Sequence, residues 1–392
     1  MSILVLLVAL ASLPLVVIDL VFASEVLLGL KPRRRLPTGD VPGRIALLVP
    51  AHNEGAHIRR SVAAMRAVAP AGTRVLVVAH NCADATAEEA LAGGAEVHRL
   101  DEPQRRGKGY ALAGGRDRLA LDPPDVVVVV DADCTPEPNA IARLAATARR
   151  TQAAVQATYL LRPRPGSGPV VQISTFAFLV KNLVRQRGGR RIGAPALLTG
   201  SGMAFPWSLF SGLDLATGDL VEDLALGVAL VRAGTPPRFE EHATIWSDPS
   251  NEAGTGTQRA RWEGGFLATA RRLGLPLLGR GLIRGRWSMI WMGLHLLTVP
   301  LTLLLLLNGG LVLGWGALWL AGAPPGLPIA ALSLFALVSG AVLAAWATSG
   351  RAVLSGRTLL RLPLYIGWKL ALYSRLVRRR DAAAWTRTER IE

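Results

Sequence analysis

The stretch VVVVVDADCTPEP (126–138) sets five valines directly before two aspartates one residue apart. An apolar run without alternation is the pattern of a strand covered on both faces, as in a parallel sheet. Ligands of open α/β sheets bind beyond the carboxyl ends of such strands, which is where Asp131 and Asp133 stand. Side chains at i and i+2 of extended chain point the same way, so both carboxylates lean toward one cation. Aspartates after strands also cap helices, but here Thr135 and Pro136 read as the N-cap and first-turn proline of the next helix. The pair therefore points to Mg2+ or Mn2+, hard cations that take oxygen ligands and share them with substrate phosphates.

Upstream of the valines, RIALLVP (44–50), RVLVVA (74–79) and AEVHRL (95–100) read as strands. Between them, AHIRRSVAAMRAV (56–68), ATAEEALAGG (85–94) and GYALAGGRDRLAL (109–121) read as helices. This alternation predicts an α/β domain with a doubly wound, mostly parallel, Rossmann-like sheet. The first two strands close on polar residues, in VPAHNE (49–54) and AHNCADAT (79–86). Two readings stand side by side there. Asp84 either starts the following helix, or it lines a nucleotide pocket as an acceptor for base or ribose. RRGKGYAL (105–112) places Lys108 between glycines at a helix start, a setting that suits an anionic ligand.

Downstream, GDLVEDLALG (218–227) has Asp219 and Glu222 at capping-box spacing, which leaves Asp223 as a candidate general base. In QRARW (258–262), Gln258, Arg261 and Trp262 fall on one helical face. A guanidinium suits a pyrophosphate and an indole suits a sugar ring. LLTGSGMAF (197–205) reads as a close-approach loop beside a cleft, with Gly202 in it.

Composition places this domain beside a membrane. The 392 residues are 51% hydrophobic with a mean hydropathy of +0.34, too apolar for an ordinary soluble enzyme. Ile3 to Ile18 carries no charge, and cations follow rather than precede the run, which predicts a retained anchor rather than a signal peptide. From Ser288 to Gly350 there is no Asp, Glu, Lys or Arg, enough for two spans with AGAPPGLP (321–328) as the turn. The net charge is +16, and its dense groups, KPRRR (31–35) and RLVRRR (375–380), lie beside apolar segments. They read as topology signals and anionic-lipid contacts, with the intervening domain in the cytoplasm. No aromatic-plus-basic nucleic-acid module is visible, so nucleic acid is not an expected partner. The two cysteines, Cys82 and Cys134, lie in no ligand or disulfide spacing.

The expected organisation is an N-terminal transmembrane anchor (1–30), a catalytic domain (36–267), an interfacial helix (268–286) and two transmembrane helices (288–350). An amphipathic interfacial helix (358–378) and a cytoplasmic tail (379–392) complete it. An integral protein of a bacterial inner membrane is the expected setting.

Taken in order, PAHNE, the aspartate of NCADAT, GKG, DAD, ED and QRARW resemble the membrane-bound family 2 glycosyltransferases. These include the cellulose, chitin, hyaluronan and poly-N-acetylglucosamine synthases and the ceramide glucosyltransferases. The resemblance covers most of residues 44–265. It implies a GT-A fold, a nucleotide-sugar donor, usually UDP-linked, and inversion at the anomeric carbon. Carried over, Pro50, Asn53, Glu54, Asp84 and Lys108 would line the donor site. Asp131 and Asp133 would hold Mg2+ or Mn2+ on the diphosphate, which Gln258 and Arg261 would also contact. Asp223 would deprotonate the acceptor hydroxyl, beside Glu222, Gly202 and Trp262. A further metal ligand, His242 or another residue, stays open.

The chain departs from the polymer synthases in having about three spans and Val221 where they often carry threonine before ED. Single transfer to a lipid or lipid-linked glycan acceptor is therefore expected, with processive β-glycan synthesis as the alternative. A membrane nucleotidyltransferase of related fold would need neither QRARW nor a base in an ED pair. A catalytically dead scaffold would not need Asp131, Asp133 and Asp223 together.

Overall fold

The computed structural model describes residues 2–35, 43–164, 166–217, 221–249 and 263–359. They divide into two units, one within Pro32–Arg162 and Pro195–Gly254, the other within Met1–Lys31, Pro163–Ala194 and Thr255–Ala382. Residues 163–194 lie inside the stretch read above as one catalytic domain, yet they group with the helical unit.

The first unit is built on an eight-stranded sheet. Its strands are β1 (Ile45–Ala51), β2 (Arg74–His80), β3 (Glu96–Leu100), β4 (Val126–Val129), β5 (Cys134–Pro136), β6 (Val155–Leu161), β7 (Met203–Pro206) and β8 (Arg238–Ser247). Their spatial order is β3-β2-β1-β4-β7-β6-β8-β5. The first four run parallel, as the alternating sequence predicts, with helices Ile58–Val68, Thr86–Ala92 and Lys108–Leu119 as crossovers. β7 then pairs antiparallel with β4 and β6, so the sheet is mixed. Val126 to Val130 are all buried, and Val127 and Val129 share a core cluster with Leu48, Leu76, Val78 and Phe205. Strand order reverses at β1 and β4, and the crevice at such a reversal is where open sheets bind ligands.

One local expectation is corrected. Thr135 and Pro136 do not start a helix; they form the edge strand β5, antiparallel to the end of β8. Proline is tolerated there because an edge strand leaves one side of its backbone unpaired. The helix begins later, at Ala140, after Asn139 in the left-handed region with φ 66°.

The second unit is helical. Three of its helices are long and apolar enough to cross a membrane: Val5–Gly29, Leu301–Leu320 and Gly326–Gly350. They match the predicted anchor and the two predicted spans. Leu6, Leu7, Leu10 and Leu13 are exposed along the first, which suits contact with lipid tails. The predicted interfacial segment (268–286) falls mostly in a helix over 263–283 that takes a π-helical turn at Ala270–Gly274, and its last three residues form the turn after it. The segments 360–378 and 379–392 lie outside the described residues.

Polar ties cross this unit at a few buried points. Glu25 is fully buried and accepts from Arg185 Nε at 2.6 Å, His295 Nδ1 at 2.7 Å and Trp291 Nε1 at 2.9 Å. The last carbonyls of a helix have no partner within it. Here Arg187 donates to Gly29 O at 3.2 Å and Arg191 to Leu28 O at 2.6 Å. The helices approach so closely that a Cβ at Gly188 would overlap the Glu25 carbonyl.

Candidate active site

The carboxyl ends of β1, β2 and β4 gather most of the predicted site residues of the sheet unit. Asp131 and Asp133 follow β4, and Lys108 opens the helix after β3. The Lys108 ammonium pairs with Asp131 Oδ1 and donates to Gly200 O at 2.7 Å. Asp131 N donates to Ser201 Oγ at 3.1 Å, which fixes the backbone at the strand tip. Asp133 is held from the far end of the sheet, because β5–β8 pairing sets Cys134 opposite Ser247. Ser247 Oγ donates to Asp133 Oδ2 at 3.3 Å.

Glu222 and Asp223 begin the helix Glu222–Ala233, and Asp223 Oδ1 accepts from Leu224 N at 2.8 Å. The meeting point of the site is Gly200, with φ +86°. A Cβ there would sit 3.3 Å from both Asp223 Oδ2 and Lys108 Nζ, and 4.0 Å from Asp131 Oδ2. The base candidate, the lysine and the first aspartate of DAD therefore share one small space. Gly200 combines a left-handed backbone with a close approach, so a side chain there would be both strained and in the way.

The electrostatics follow from this crowding. Burial lifts the Asp131 carboxyl above the usual range; Lys108 pulls it back, while Asp133 and Asp223 add to the rise. Burial and the adjacent Asp223 charge push Glu222 up to about 8, against the pull of Lys108. Burial works against the Lys108 charge, but Asp131, Glu222 and Asp223 outweigh it, so its pKa is raised. Acids held this close favour a further cation. Asp131, Asp133 and Cys134 bring their ligand atoms within 4.8 Å of one another. The two carboxylates are the hard oxygen donors that suit Mg2+ or Mn2+, so the residues fit such an ion. His242 does not join this group, which is the one set of metal-ligand side chains found among the described residues.

At the ends of β1 and β2, Asp84 works as a clasp. Its Oδ2 accepts from Gly55 N at 2.9 Å, and its Oδ1 accepts from Thr86 N at 3.1 Å and from the Thr86 hydroxyl. Glu54 N donates to Thr86 Oγ1 at 2.8 Å, and Asn53 Oδ1 accepts from Ala83 N at 2.8 Å. This geometry organises the helix start, and Asp84 itself is exposed. Pro50 lies within β1 opposite Val78.

Gly202, expected near the acceptor, is buried in the sheet. A Cβ there would lie 2.6 Å from Ile245 Cγ1 and 2.7 Å from Ala157 Cβ, so its glycine is explained by packing. Gly200, two residues earlier in the same predicted loop, is the one that meets the charged groups. Composition and spacing do not separate the two glycines; only the register of β7 does. Ser247, 114 residues from Asp133, left no sequence signal at all. Asp219, Gln258, Arg261 and Trp262 lie outside the described residues.

Comparison with known proteins gives the family. The family model "Glycosyltransferase like family 2" matches residues 42–265, more than half of the chain. Among solved structures, the mannosyltransferase PcManGT from Pyrobaculum calidifontis, in complex with GDP-Man and Mn2+, aligns over 95% of this chain and 98% of its own. Its TM-score is 0.56 at 18% identity. Glucosyl-3-phosphoglycerate synthase from Mycobacterium tuberculosis, with Mn2+, UDP and glucosyl-3-phosphoglycerate, aligns over 59% of this chain and 86% of its own. Its TM-score is 0.38 at 20% identity. No curated protein matches the sequence.

Proposed function

Since the chain belongs to glycosyltransferase family 2, we propose that it moves a sugar, with inversion, from a nucleotide sugar to a lipid or lipid-linked acceptor at the cytoplasmic membrane face. The observation that carries this reading is the convergence of Asp223, Lys108 and Asp131 on Gly200. Inversion by direct displacement needs a base on one side of the anomeric carbon and a stabilised leaving group on the other. The site offers both types of group within one space.

Asp223 is assigned as the base that takes the proton from the acceptor hydroxyl. Its Oδ1 is tied to the first turn of its helix, which leaves Oδ2 on the Gly200 side. Lys108 is assigned to the diphosphate, whose growing negative charge it offsets in a site already shaped for it. Asp131 and Asp133 would hold Mg2+ or Mn2+, which when bound supplies further positive charge to the leaving group. Asp84, Asn53 and Glu54 form the edge where base and ribose would rest, and Gln258, Arg261 and Trp262 are assigned to the diphosphate and acceptor end.

The lipid side of the proposal rests on the three apolar helices. Leu275, Leu282, Ile283 and Trp287 are exposed near Arg271, Arg272, Arg280 and Arg284, a combination suited to an anionic bilayer surface. UDP-sugars are the expected donors. The full-length likeness to a structure holding GDP-Man makes GDP-sugars the second set to try.

The test is release of free nucleoside diphosphate from a panel of UDP- and GDP-sugars, with purified protein, Mn2+ and a lipid extract. Release with one donor, abolished in Asp223→Asn, is the expected result. Product mass then separates one added sugar from a polymer. Silence with every donor and lipid fraction would overturn the proposal.

A further inference from the structure

We propose that Asn81 is a positioning residue for the donor: its side chain fastens the 101–107 loop, and with it Lys108, to the end of β2. The role in donor binding rests on the glycosyltransferase reading above; the fastening itself does not.

Asn81 follows β2 directly, with φ 52° in the left-handed region. Asparagine tolerates that conformation better than most residues, and glycine adopts it without strain. The backbone N–H of Asn81 donates to Leu100 O at 2.9 Å, at the end of β3. Its carboxamide then closes on the loop from both ends. Oδ1 accepts from Glu102 N at 2.7 Å, while Nδ2 donates to Glu102 O at 3.0 Å and to Arg105 O at 3.1 Å. A single amide thus matches two backbone acceptors and one backbone donor, a pattern that fixes which end of the amide is nitrogen.

Within the loop, Arg105 N donates to Glu102 O at 2.8 Å and Arg106 Nε to Pro103 O at 3.1 Å, and the His80 ring bonds the Arg105 backbone beside Asn81. The Asn81 carboxamide is the side chain that bonds the backbone at both Glu102 and Arg105. Pro103, Gln104, Arg105 and Arg106 are exposed, and the Arg105–Glu102 ion pair, at 3.4 Å, is open to solvent. Such pairs contribute little. Just after Arg105, Gly107 takes φ 135° and ψ 158° and launches the helix whose first residue is Lys108. The lysine must arrive at a fixed point, where Asp131 and Gly200 O receive its ammonium. Slack at Arg105 would be felt at Lys108, because only two residues separate them.

Two substitutions separate this role from a general effect on folding. Asn81→Gly preserves the left-handed backbone and removes all three side-chain bonds to the loop. Asn81→Asp preserves the acceptor for Glu102 N but turns a carboxylate oxygen toward the carbonyls of Glu102 and Arg105. The first measurement is tryptic cleavage after Arg105 and Arg106 in the purified full-length protein, with fragments identified by mass. Both variants are expected to be cut there faster by roughly fivefold or more, the factor expected for one or two lost hydrogen bonds. The second measurement is steady-state kinetics with the donor found in the panel above. KM for the donor should rise by a similar factor with a smaller change in kcat, and Asn81→Gly should add nothing to it in a Lys108→Ala background. Unchanged cleavage in Asn81→Gly overturns the fastening. Faster cleavage with an unchanged donor KM, or additive effects with Lys108→Ala, overturns the link to Lys108. If the wild-type protein turns over no nucleotide sugar, the family-based reading fails, while the cleavage comparison still decides whether Asn81 holds the loop.

Discussion

Lys108 and Asp131, 23 residues apart in the chain, meet as an ion pair at the tip of the central strands, with Gly200 O completing the lysine's partners. The pair lies where three more carboxyl groups, of Asp133, Glu222 and Asp223, affect one or both partners electrostatically. Removing the ammonium would leave acids facing one another around the space where the proposed function puts the diphosphate. Lys108→Met should therefore lower kcat/KM by on the order of a hundredfold, the scale of losing one preorganised charge. Nucleoside diphosphate release at several donor concentrations checks this. An activity within threefold of wild type would remove Lys108 from the site.

Asp223→Asn should retain donor binding and lose transfer by about a hundredfold or more, since a general base typically contributes 10²–10⁴. Equilibrium binding of the nucleoside diphosphate and turnover, measured on the same preparation, separate the two effects. Weakened binding with unchanged turnover per bound donor would assign the base elsewhere.

Gly200→Ala places a methyl group 3.3 Å from Asp223 Oδ2 and Lys108 Nζ, at a backbone φ of +86°. The backbone strain alone costs about 1–2 kcal/mol. The variant should be less stable by that amount and nearly inactive, whereas Gly166→Ala, also at positive φ but in open space, should lose stability and keep activity. Thermal unfolding and turnover of the two variants test the contrast.

Glu222 gives a pH signature. Its pKa rises from 4.5 to about 8 in the fold, through burial first and Asp223 second. A folded pKa above the unfolded one means that the fold prefers the protonated acid. That stabilising preference is complete below pH 4.5 and is lost as pH climbs to about 8. Glu222→Gln should flatten this decline, unfolding at a higher temperature than wild type at pH 8.5 in the absence of divalent cations. A parallel pair of curves from pH 5 to 8.5 would contradict the assignment.

Glu25→Ala should cripple the helical unit. It leaves the buried Arg185 guanidinium without its carboxylate, and breaking a buried pair on one side costs about 3–5 kcal/mol. The readout is the yield of monodisperse protein in detergent. Glu25→Gln, which keeps the side-chain volume and one of the two acceptor oxygens, should be less damaging than alanine.

Much of the fold was legible from local pattern. Four strands, three crossover helices and three apolar helices stood out because burial on both faces, helical periodicity and long uncharged runs each leave a mark along the chain. DAD and ED were legible because their chemistry is carried by side-chain type. The misplaced helix cap at Thr135–Pro136 shows where local pattern fails. A threonine before a proline opens many helices, but here the last residues of β8, 109 or more positions later, recruit them as an edge strand. Gly200 and Gly202 show the same limit of local pattern. Both have positive φ, and only the neighbours across the sheet decide which one packs against Ile245 and which one faces Asp223.

By itself, the sequence determined that valines would be buried, that acids would stand at a strand's end, and that three segments were apolar enough for a bilayer. These are consequences of side-chain polarity and of the spacing between neighbouring residues. Only the tertiary structure decided that Lys108, Asp131, Gly200 and Asp223 meet, that Ser247 braces Asp133, and that the Asn81 carboxamide ties down a loop. Such contacts join residues tens to more than a hundred positions apart, and they exist only after strand order and register have been chosen by packing of the whole sheet.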